Sequence, residues 1–334
     1  MSARTVLTFH ADGDQRRVLA EILAPFGGIA FLQDAGEDRD ARAAMLRQAE
    51  AVITWIPGHE LSRDDTTALG NASLIQLLTA GADHIDFTRL PQHARVAGNV
   101  GAYADPMAEH VLAMALALAK RLPQNHAKLA AGTFDQARTL RLRGGVAGIL
   151  GYGGIGSACA RLFRAFGMRI YAINTTGRAD EHADQAGTLA DLHDMLAGAD
   201  IVVVTLPLTK TTRGLIGAAE LDAMKPQAIL VNVARGAIVA EDALFEHLRA
   251  HPDFCAGIDT WWDEPGNGKP FHPRLPFLTL PNVLGSPHNS GIVAGMDVVS
   301  VAAAARNVAA FLRGDPVRGV QDPADYDAKD GQPT

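Results

Sequence analysis

The sequence predicts an α/β fold built from two doubly wound parallel-sheet domains. Short apolar runs alternate with amphipathic segments along almost all of the 334 residues. This alternation is typical of strand–helix–strand units whose strands lie in one parallel sheet, with helices on both faces. A second series of runs begins near Gly145. Because domains usually hold about 100–200 residues, a chain of this length is expected to form two of them.

The first series predicts four strands and the helices between them. The expected strands cover residues 6–9, 29–32, 51–55 and 74–78, and the expected helices include residues 15–23 and 41–49. The first unit should end near residues 99–104. Asp105 and Pro106 can then start a helix, with the aspartate as N-cap and the proline in the first turn. This helix is expected to reach Pro123 and, being apolar nearly all round, to be buried between domains or subunits.

The second series predicts six further strands, over residues 146–150, 169–173, 201–206, 228–233, 255–258 and 283–285. A long helix is expected over residues 292–312, after the second unit. It should carry the chain back onto the first unit. Residues 322–334 are polar and are expected to form a tail.

Composition limits the partners that the chain can bind. Hydrophobic residues make up 48% and charged residues 20% of the chain, so it can build real cores and is not expected to be disordered. The formal net charge of −7 argues against nucleic-acid and anionic-membrane partners, because both require a basic face. An anionic small-molecule substrate remains compatible with this charge, since a site can be locally positive inside an acidic protein.

The cysteines indicate the compartment and the metal content. Cys159 and Cys255 are isolated, and no cysteine–histidine cluster has the spacing of a zinc site, so no metal centre is expected. Isolated thiols fit a reducing compartment. The N-terminus lacks the apolar core of a signal peptide, and the longest apolar stretch, residues 111–118, is far shorter than the ~20 residues of a membrane-spanning helix. A soluble cytoplasmic protein is expected.

A glycine-rich turn separates the strand at 146–150 from the helix that follows. It reads Gly151-Tyr152-Gly153-Gly154-Ile155-Gly156, a GxGxxG pattern. The first glycine permits the tight turn, the second lets a pyrophosphate approach the backbone, and the third lets helix and strand pack closely. Free amides at the helix N-terminus would face the phosphates. The pattern predicts a dinucleotide site; the alternative is a glycine-rich turn of another α/β protein.

The next strand is followed by Asn174, Thr175, Thr176, Gly177 and Arg178. Sites that take NAD usually carry Asp or Glu about 20 residues past the glycine motif, where it binds the ribose 2′-hydroxyl. Here no carboxylate is present to repel a 2′-phosphate, and the arginine with three short polar side chains can bind one. We therefore expect NADP(H) in preference to NAD(H). The alternative is that Arg178 points into solvent and the amide and hydroxyls bind plain ribose.

Three chemically active side chains, Arg235, Glu264 and His288, stand just past later strands. Ligands bind at this edge of doubly wound sheets. An arginine can fork onto a carboxylate and polarise a carbonyl, and a histidine can give or take a proton near neutral pH. A carboxylate beside the histidine orients its ring. This set suits reduction of a 2-oxoacid. Each residue alone has an ordinary structural explanation, so the interpretation depends on their joint order after the dinucleotide motif.

Five motifs occur in order along the chain: GYGGIG, TLPLTKTTRGLI, VNVARGAIV, GIDTWWDEP and SPHNSG. On these motifs the chain closely resembles the D-isomer-specific 2-hydroxyacid dehydrogenase family, in the manner of glyoxylate and hydroxypyruvate reductases, over nearly its whole length. The resemblance implies a Rossmann cofactor domain, residues 101–291, inserted into a discontinuous flavodoxin-like substrate domain, residues 1–100 and 292–334. It also implies a homodimer.

The resemblance assigns roles to individual residues. Arg235 would bind the substrate carboxylate and carbonyl, His288 would be the acid/base, and Glu264 would be its partner. The backbone amides of Ala80 and Gly81, in the loop at 79–86, would hold the substrate carboxylate; the alternative is a simple strand-to-helix turn. The residues expected to bind the dinucleotide are Gly151, Gly153, Gly154, Ile155, Gly156, Asn174, Thr175, Thr176, Arg178, Thr205, Pro207, Val233, Ala234, Asp259 and Gly291.

The chain departs from the family pattern in three places. Asn174 replaces the commoner acidic residue, Thr205 stands where many members have histidine, and the pair Trp261-Trp262 is unusual. The tryptophans either pack at a domain or subunit contact or form a wall of the substrate cleft. The expected activity is NAD(P)-dependent reduction of a small 2-oxoacid such as glyoxylate, hydroxypyruvate or a phenyl- or alkyl-pyruvate. The alternative is a dinucleotide-sensing, corepressor-like binding protein without turnover.

Overall fold

The computed structural model describes residues 3–266 and 268–327. The chain divides into two units, the first formed by Met1–Tyr103 with Ala294–Thr334 and the second by Ala104–Val293. These bounds differ from the expected domain limits by three residues or fewer. Of the expected polar tail, residues 328–334 lie outside the described residues.

The strands of the described residues alternate with helices, as the apolar runs predicted. They are β1 (Thr5–Leu7), β2 (Ile29–Phe31), β3 (Ala51–Thr54), β4 (Leu74–Leu77), β5 (Arg95–Ala97), β6 (Val146–Leu150), β7 (Arg169–Ile173), β8 (Gln185–Gly187), β9 (Ile201–Val204), β10 (Ile229–Asn232), β11 (Cys255–Ile258), β12 (Val283–Gly285) and β13 (Val320–Gln321). The ten predicted strands are confirmed to within two residues at either end. The sequence missed β5, β8 and β13, because two or three residues with one or two apolar side chains give no periodic signal.

The α-helices of the described residues are α1 (Gly13–Leu23), α2 (Arg39–Gln48), α3 (Pro57–Glu60), α4 (Arg63–Ala68), α5 (Ala104–Ala119), α6 (Leu122–Ala130), α7 (Gly154–Ala165), α8 (Leu192–Gly198), α9 (Ala218–Ala223), α10 (Glu241–Ala250) and α11 (Met296–Arg313). Short 3₁₀ turns lie between some of these elements. Within the described ranges, none of the helices combines the length and apolar character needed to cross a bilayer.

Two helix predictions were wrong in detail. The helix expected from Asp105 to Pro123 begins at Ala104 and ends at Ala119, and α6 follows it. The break occurs because Arg121 takes a left-handed conformation with φ 50°. The helix expected from residue 292 begins at Met296, because Gly295 before it is also left-handed, with φ 78°.

The first unit contains a six-stranded sheet in the order β13-β5-β4-β3-β1-β2. Its strands are parallel except for β13, which runs antiparallel to β5. Helices α1 and α11 pack against each other in this unit, and α11 also contacts β3 and β4. The returning helix therefore completes the first unit, as the sequence predicted.

The second unit contains a seven-stranded, all-parallel sheet in the order β12-β11-β10-β9-β6-β7-β8. The strand order reverses between β6 and β9, and ligands of doubly wound folds bind beyond the carboxyl ends of strands at such a point. Both faces of the sheet are covered: Ile201 and Val203 of β9 join one apolar core and Val202 and Val204 join the other. This explains why its strands read as continuous apolar runs.

Helix α5 buries one face against the second unit. It packs against α7, β10 and β11, with Val111, Ala115 and Leu118 almost fully buried. Its nearly uniform apolar surface was expected to lie between domains or subunits. Within its own unit, α5 covers one face of the parallel sheet, and its burial between domains or subunits stays a prediction.

Candidate active site

The glycine turn between β6 and α7 shows why each glycine is needed. Gly151 has φ 105°, and a Cβ there would lie 2.7 Å from the Leu206 nitrogen. A Cβ on Gly156 would lie 2.0 Å from the Gly151 carbonyl oxygen. At Gly153, in contrast, a Cβ would meet no atom within 4 Å. Open space beside this backbone lets another group approach it closely.

The N-terminus of α7 fits a pyrophosphate. Its N-cap is Gly153, which offers no side-chain acceptor to the first amides of the helix. Gly154 and Ile155 open the helix, so their N–H groups lie at the positive end of its dipole. The backbone and the open space beside Gly153 therefore form a cradle that suits the diphosphate of a dinucleotide.

The loop after β7 is organised by Asn174. The Asn174 side-chain oxygen accepts hydrogen bonds from the Thr176 and Gly177 N–H groups at 2.9 and 2.8 Å, and its amide donates to the Arg178 carbonyl at 2.6 Å. Asn174 thus shapes the loop rather than presenting its amide outward. Thr175, Thr176 and Arg178 are exposed. Within the described part of the chain, the Arg178 guanidinium makes no hydrogen bond or ion pair, so it is available to an anion.

A carboxylate outside the expected segment also lies beside the glycine turn. The Tyr152 hydroxyl donates to Asp180 at 2.5 Å. Burial, followed by this hydrogen bond, raises the pKa of Tyr152, while the same bond lowers the pKa of Asp180. The Asp180 charge is therefore engaged by a residue of the GxGxxG motif.

Thr205 and Pro207 follow β9 at the switch point of the sheet. The Thr205 hydroxyl donates to the Gly151 carbonyl at 2.7 Å, which ties the end of β9 to the glycine turn. The Pro207 carbonyl accepts from the Thr212 hydroxyl at 2.6 Å. In this protein Thr205, at the position where the sequence resemblance expects histidine in many members, uses its side chain to hydrogen-bond the glycine turn.

The segment after β10 carries Arg235. The Asn232 side chain holds this turn: its oxygen accepts from the Ala234 N–H at 3.1 Å, and its amide donates to the Arg235 carbonyl at 2.9 Å. Val233 and Ala234 are buried, whereas Arg235 is half-buried. These hydrogen bonds thus fix the backbone position from which the Arg235 side chain extends.

His288 and Glu264 form the ion pair expected from the sequence. The His288 Nδ1 lies 2.7 Å from a Glu264 carboxylate oxygen, and the other oxygen accepts from the Trp261 N–H at 2.8 Å. Burial acts to raise the pKa of Glu264. The hydrogen bonds from His288 and Trp261 and the positive charges of His288 and Arg235 outweigh it, so the pKa lies below its ordinary value. The Arg235 contribution means that the three predicted catalytic residues share one electrostatic environment.

The loop that carries His288 is anchored by Asp259. The Asp259 side chain is 0% exposed, and its oxygens accept from the Ser286 hydroxyl at 2.5 Å and from the Asn289 and Ser290 N–H groups at 3.1 and 3.2 Å. Its backbone carbonyl accepts from the His288 N–H at 2.8 Å. Sequence reasoning listed Asp259 among the residues expected to bind the dinucleotide and did not foresee this anchoring role. It also gave no role to Ser286, the first residue of the SPHNSG motif.

Ser290 carries a second sign of a ligand. Its hydroxyl is buried and has no hydrogen-bond partner among the described residues. Buried polar groups in proteins are normally paired, so an unpaired hydroxyl in the loop that carries His288 fits a polar group of a bound molecule. Gly291, the last predicted cofactor residue, follows it directly. Together with the pyrophosphate cradle, this unpaired hydroxyl shows that the residues present suit a dinucleotide.

The two tryptophans pack in the core of the second unit. Trp261 is 8% exposed and donates its indole N–H to the Ser286 carbonyl at 2.9 Å. Trp262 stacks on Phe277, with ring centroids 5.1 Å apart, and donates to the Val239 carbonyl at 2.7 Å. Both indole N–H groups are therefore satisfied by backbone carbonyls, and both rings pack among side chains of their own unit.

Ala80 and Gly81 belong to the first unit, in the loop after β4. The Thr79 hydroxyl donates to the Gly81 carbonyl at 2.9 Å. A Cβ on Gly98 would lie 2.2 Å from the Ala80 carbonyl oxygen, so glycine is needed there to let the two segments meet. The loop is thus held in place at the carboxyl end of its strand.

Among the described residues, one aspartate and two histidines form a cluster of side chains that could hold a metal ion. The ligand atoms of Asp222, His247 and His251 lie within 4.8 Å of one another, on α9 and at the end of α10. The His247 Nδ1 already lies 3.3 Å from Asp222, and its ring packs on Phe254. Spacing rules based on cysteine did not detect this group, and the absence of a metal centre stays a prediction.

The fold and the site together define a class of protein. A doubly wound parallel sheet with a GxGxxG turn, joined to a second α/β unit and carrying an Arg–Glu–His set at its strand ends, is the architecture of a two-domain dinucleotide-binding oxidoreductase. The family model described as D-isomer specific 2-hydroxyacid dehydrogenase, NAD binding domain, matches residues 112–290. The chain belongs to the D-isomer specific 2-hydroxyacid dehydrogenase family.

Individual relatives agree with this assignment. The chain is 34% identical to a glyoxylate reductase of Aeropyrum pernix over 283 residues, which cover 80% of this chain and 81% of that protein. It is 31% identical to a D-3-phosphoglycerate dehydrogenase of Archaeoglobus fulgidus over 297 residues, which cover 82% of this chain. The alignment spans only about half, 55%, of the latter protein.

Solved structures share the fold. A D-isomer specific 2-hydroxyacid dehydrogenase from Xanthobacter autotrophicus Py2, solved in complex with NADPH and MES, has a TM-score of 0.79 and 26% identity. The match covers 97% of this chain and 99% of that one. The arrangement of two parallel-sheet α/β domains is therefore that of the family.

Proposed function

We propose that this protein interconverts a small 2-oxoacid and the corresponding D-2-hydroxyacid with a nicotinamide cofactor. The observation that carries the proposal is the His288–Glu264 pair, with 2.7 Å between Nδ1 and the carboxylate, in the electrostatic environment of Arg235. These three side chains stand at the carboxyl ends of β10, β11 and β12, the edge where doubly wound folds bind their ligands. A bound nicotinamide ring would supply or accept the hydride.

His288 handles the proton. Because the Glu264 carboxylate accepts at Nδ1, the proton on that nitrogen stays in the pair and Nε2 is left to face the substrate oxygen. The pKa of Glu264 is lowered, so its carboxylate is charged near neutral pH and can hold the ring through Nδ1–H. Nε2–H then donates to the carbonyl oxygen during reduction, and neutral Nε2 takes the proton back during oxidation.

Arg235 orients the substrate. A guanidinium can hold a carboxylate through two parallel hydrogen bonds, which a lysine ammonium cannot reproduce. Arg235 is half-buried, so its charge is screened less than that of a surface arginine. The backbone amides of Ala80 and Gly81 are proposed as additional donors to the substrate carboxylate.

We infer a small, unphosphorylated substrate such as glyoxylate or hydroxypyruvate. The chain covers 81% of the Aeropyrum glyoxylate reductase, and 69% of the chain matches 74% of a hydroxypyruvate reductase from Thermotoga maritima at 29% identity. The matched phosphoglycerate dehydrogenases are much longer proteins, of which the alignments span about half. The chain is closer in length to the two reductases than to the phosphoglycerate dehydrogenases, and this supports a reductase substrate.

For the cofactor we infer NADP(H) in preference to NAD(H). The exposed Arg178 guanidinium is available to a 2′-phosphate, and residues 174–178 contain no carboxylate. Gly153, Gly154 and Ile155 would hold the pyrophosphate, while Thr175 and Thr176 offer hydroxyls near the ribose. A related enzyme from Xanthobacter was solved with NADPH, which agrees with this preference.

The decisive experiment is a panel of 2-oxoacids assayed with both NADH and NADPH. We expect turnover of glyoxylate or hydroxypyruvate that is faster with NADPH, and we expect the Arg235→Lys variant to lose both substrate affinity and rate because lysine cannot fork. Binding of either dinucleotide without oxidation by any 2-oxoacid would contradict the proposal and identify a corepressor-like sensor instead.

We also propose a homodimer in the cytoplasm. Leu122 and Leu129 on α6 and Phe134 just after it are large apolar side chains left 57%, 58% and 79% exposed, a surface that a second copy would cover. Both cysteines are buried free thiols, which fits a reducing compartment. Light scattering should give a dimer mass, and Leu129→Ser with Phe134→Ser should yield a monomer while Leu189→Ser does not. A monomeric wild type would contradict the dimer.

A further inference from the structure

The buried carboxylate of Asp259 needs hydrogen-bond donors in addition to the amides of the loop that it anchors. A fully buried charge is costly unless donors surround it. The Ser286 hydroxyl is its shortest partner, at 2.5 Å from Oδ1. A hydroxyl has one proton, so when Ser286 donates to Asp259 its oxygen is left as an acceptor for a further donor.

His110 supplies that donor. Its Nε2 lies 2.9 Å from the Ser286 oxygen and 3.7 Å from Asp259 Oδ1. The Ser286 hydroxyl donates its only hydrogen to Asp259. The contact with His110 can therefore be a hydrogen bond only if Nε2 of His110 carries a hydrogen and donates it. His110 stands on α5, and its side chain is 25% exposed. The contacts form a relay from His110 Nε2–H to the Ser286 hydroxyl and on to the Asp259 carboxylate.

The relay ends at the catalytic histidine. His288 has φ 51°, a conformation that costs a non-glycine residue about 1–2 kcal/mol and persists only when its surroundings enforce it. The Asp259 carbonyl holds the His288 N–H at 2.8 Å, and its carboxylate holds the next two amides of the loop. Helix α5 packs against β10 and β11, and this packing holds His110 in a fixed position relative to the relay.

We propose that His110 is a positioning residue for His288, acting through Ser286 and Asp259. This inference rests on the proposed acid/base role of His288. His110 does not touch the reacting atoms; its hydrogen bond keeps the Ser286 proton directed at Asp259, and Asp259 keeps the 286–290 loop in place. Loss of the relay should move the imidazole out of line, and a displacement of about 1 Å can cost roughly 100-fold in rate.

The test is a double-mutant cycle with a conservative rescue. We expect His110→Ala and Ser286→Ala each to lower kcat by about 10- to 100-fold, with little change in the affinity for NADPH. The double variant should be no slower than the slower single variant, because both changes break one relay. His110→Gln, whose side-chain amide can donate as Nε2 does, should recover most of the rate. His193→Ala, which removes an exposed histidine on α8, should behave as wild type.

A readout without substrate separates this inference from the proposed function. In the protein alone, the imidazole resonances of His288 in ¹⁵N-edited spectra should move in His110→Ala and return in His110→Gln. Unmoved His288 resonances, a wild-type kcat in His110→Ala, or additive losses in the double variant would each overturn the relay. If the wild type turns over no 2-oxoacid, the proposed function fails while the resonances still decide the positioning role.

Discussion

At His288 the strained backbone and the proposed acid/base role fall on the same residue. Among the described residues, His288 and Arg121 are the non-glycine positions with positive φ. Such conformations collect at functional sites, where surrounding hydrogen bonds enforce them. Here the enforcing groups are the Asp259 carbonyl on the His288 backbone and the Glu264 carboxylate on its ring. The backbone and Nδ1 of His288 are therefore both held by hydrogen bonds.

Replacing His288 with asparagine removes the imidazole without straining the loop, because asparagine tolerates left-handed φ better than alanine does. We expect kcat to fall by about 10²- to 10⁴-fold, the usual contribution of general acid–base catalysis. The dissociation constant of NADPH, measured by fluorescence titration, should stay nearly unchanged. A variant that keeps wild-type turnover would remove His288 from the role of acid/base.

Arg178 is the better residue for testing cofactor preference. Asn174→Asp would place a carboxylate against the Arg178 carbonyl, which now accepts from the Asn174 amide, and would disturb the loop as well as the charge. Arg178→Gln removes the charge alone. We expect its KM for NADPH to rise about tenfold or more while the KM for NADH changes little. Arg63→Gln, an exposed change in the first unit, is the control; equal effects on both cofactors would refute the phosphate contact.

At the scale of elements, the strand–turn–helix of β6 and α7 uses each glycine for a different reason. Gly156 allows the helix to approach the turn, since a Cβ there would lie 2.0 Å from a backbone oxygen. Gly153 is different, because its Cβ position is empty within 4 Å and its φ of −94° suits any residue. One glycine therefore serves the fold and the other leaves room for a ligand.

Two alanine variants should separate the packing role of Gly156 from the ligand-binding role of Gly153. Gly156→Ala is expected to destabilise the protein by about 3 kcal/mol, as overpacking of a tight contact does, which thermal unfolding will detect. Gly153→Ala should unfold at the wild-type temperature but bind dinucleotide more weakly, because its methyl group fills the pyrophosphate cradle. Gly198→Ala, also free of close contacts, serves as the control. Unchanged dinucleotide affinity in Gly153→Ala would rule out the cradle.

At the scale of the whole molecule, acid stability depends on carboxylates that are ionised in the folded state. In the first unit, Asp65 accepts from Arg42 at 2.7 Å and caps α4 through Ser62, and its side chain is 8% exposed. Burial acts to raise the pKa of Asp65, but the Arg42 and Ser62 hydrogen bonds and the Arg42 charge hold it below its ordinary value of 3.8. Glu264 is shifted in the same direction.

A depressed folded-state pKa stabilises the protein above the unfolded value, and this stability is lost as pH falls through the folded value. We therefore expect the free energy of unfolding to decline below about pH 4. Asp65→Asn should be less stable than wild type at pH 7 by about 1–3 kcal/mol and should show a shallower acid decline. Urea titrations between pH 7 and pH 3 will measure this. A variant parallel to wild type at every pH would exclude the Asp65–Arg42 pair as a contributor.

Much of the site was predictable because its signals are local. The GxGxxG pattern of residues 151–156 reports a turn whose steric limits act over six positions. Arg235, Glu264 and His288 each follow a recognisable apolar run. Hydrogen bonds to backbone carbonyls orient the side chains of Asn174, Trp261 and Trp262, and the sequence did not predict these contacts.

By itself the sequence determined the two α/β units, the positions of ten strands along the chain, the family and the three candidate catalytic residues, since hydrophobic periodicity and glycine sterics act over a few residues. The tertiary structure decided what the side chains do once they meet. His110 and Ser286 are 176 positions apart, and no local pattern links them. Their contact exists because α5 packs on β10 and β11, near the end of β12, where burial of Asp259 requires donors from distant parts of the chain.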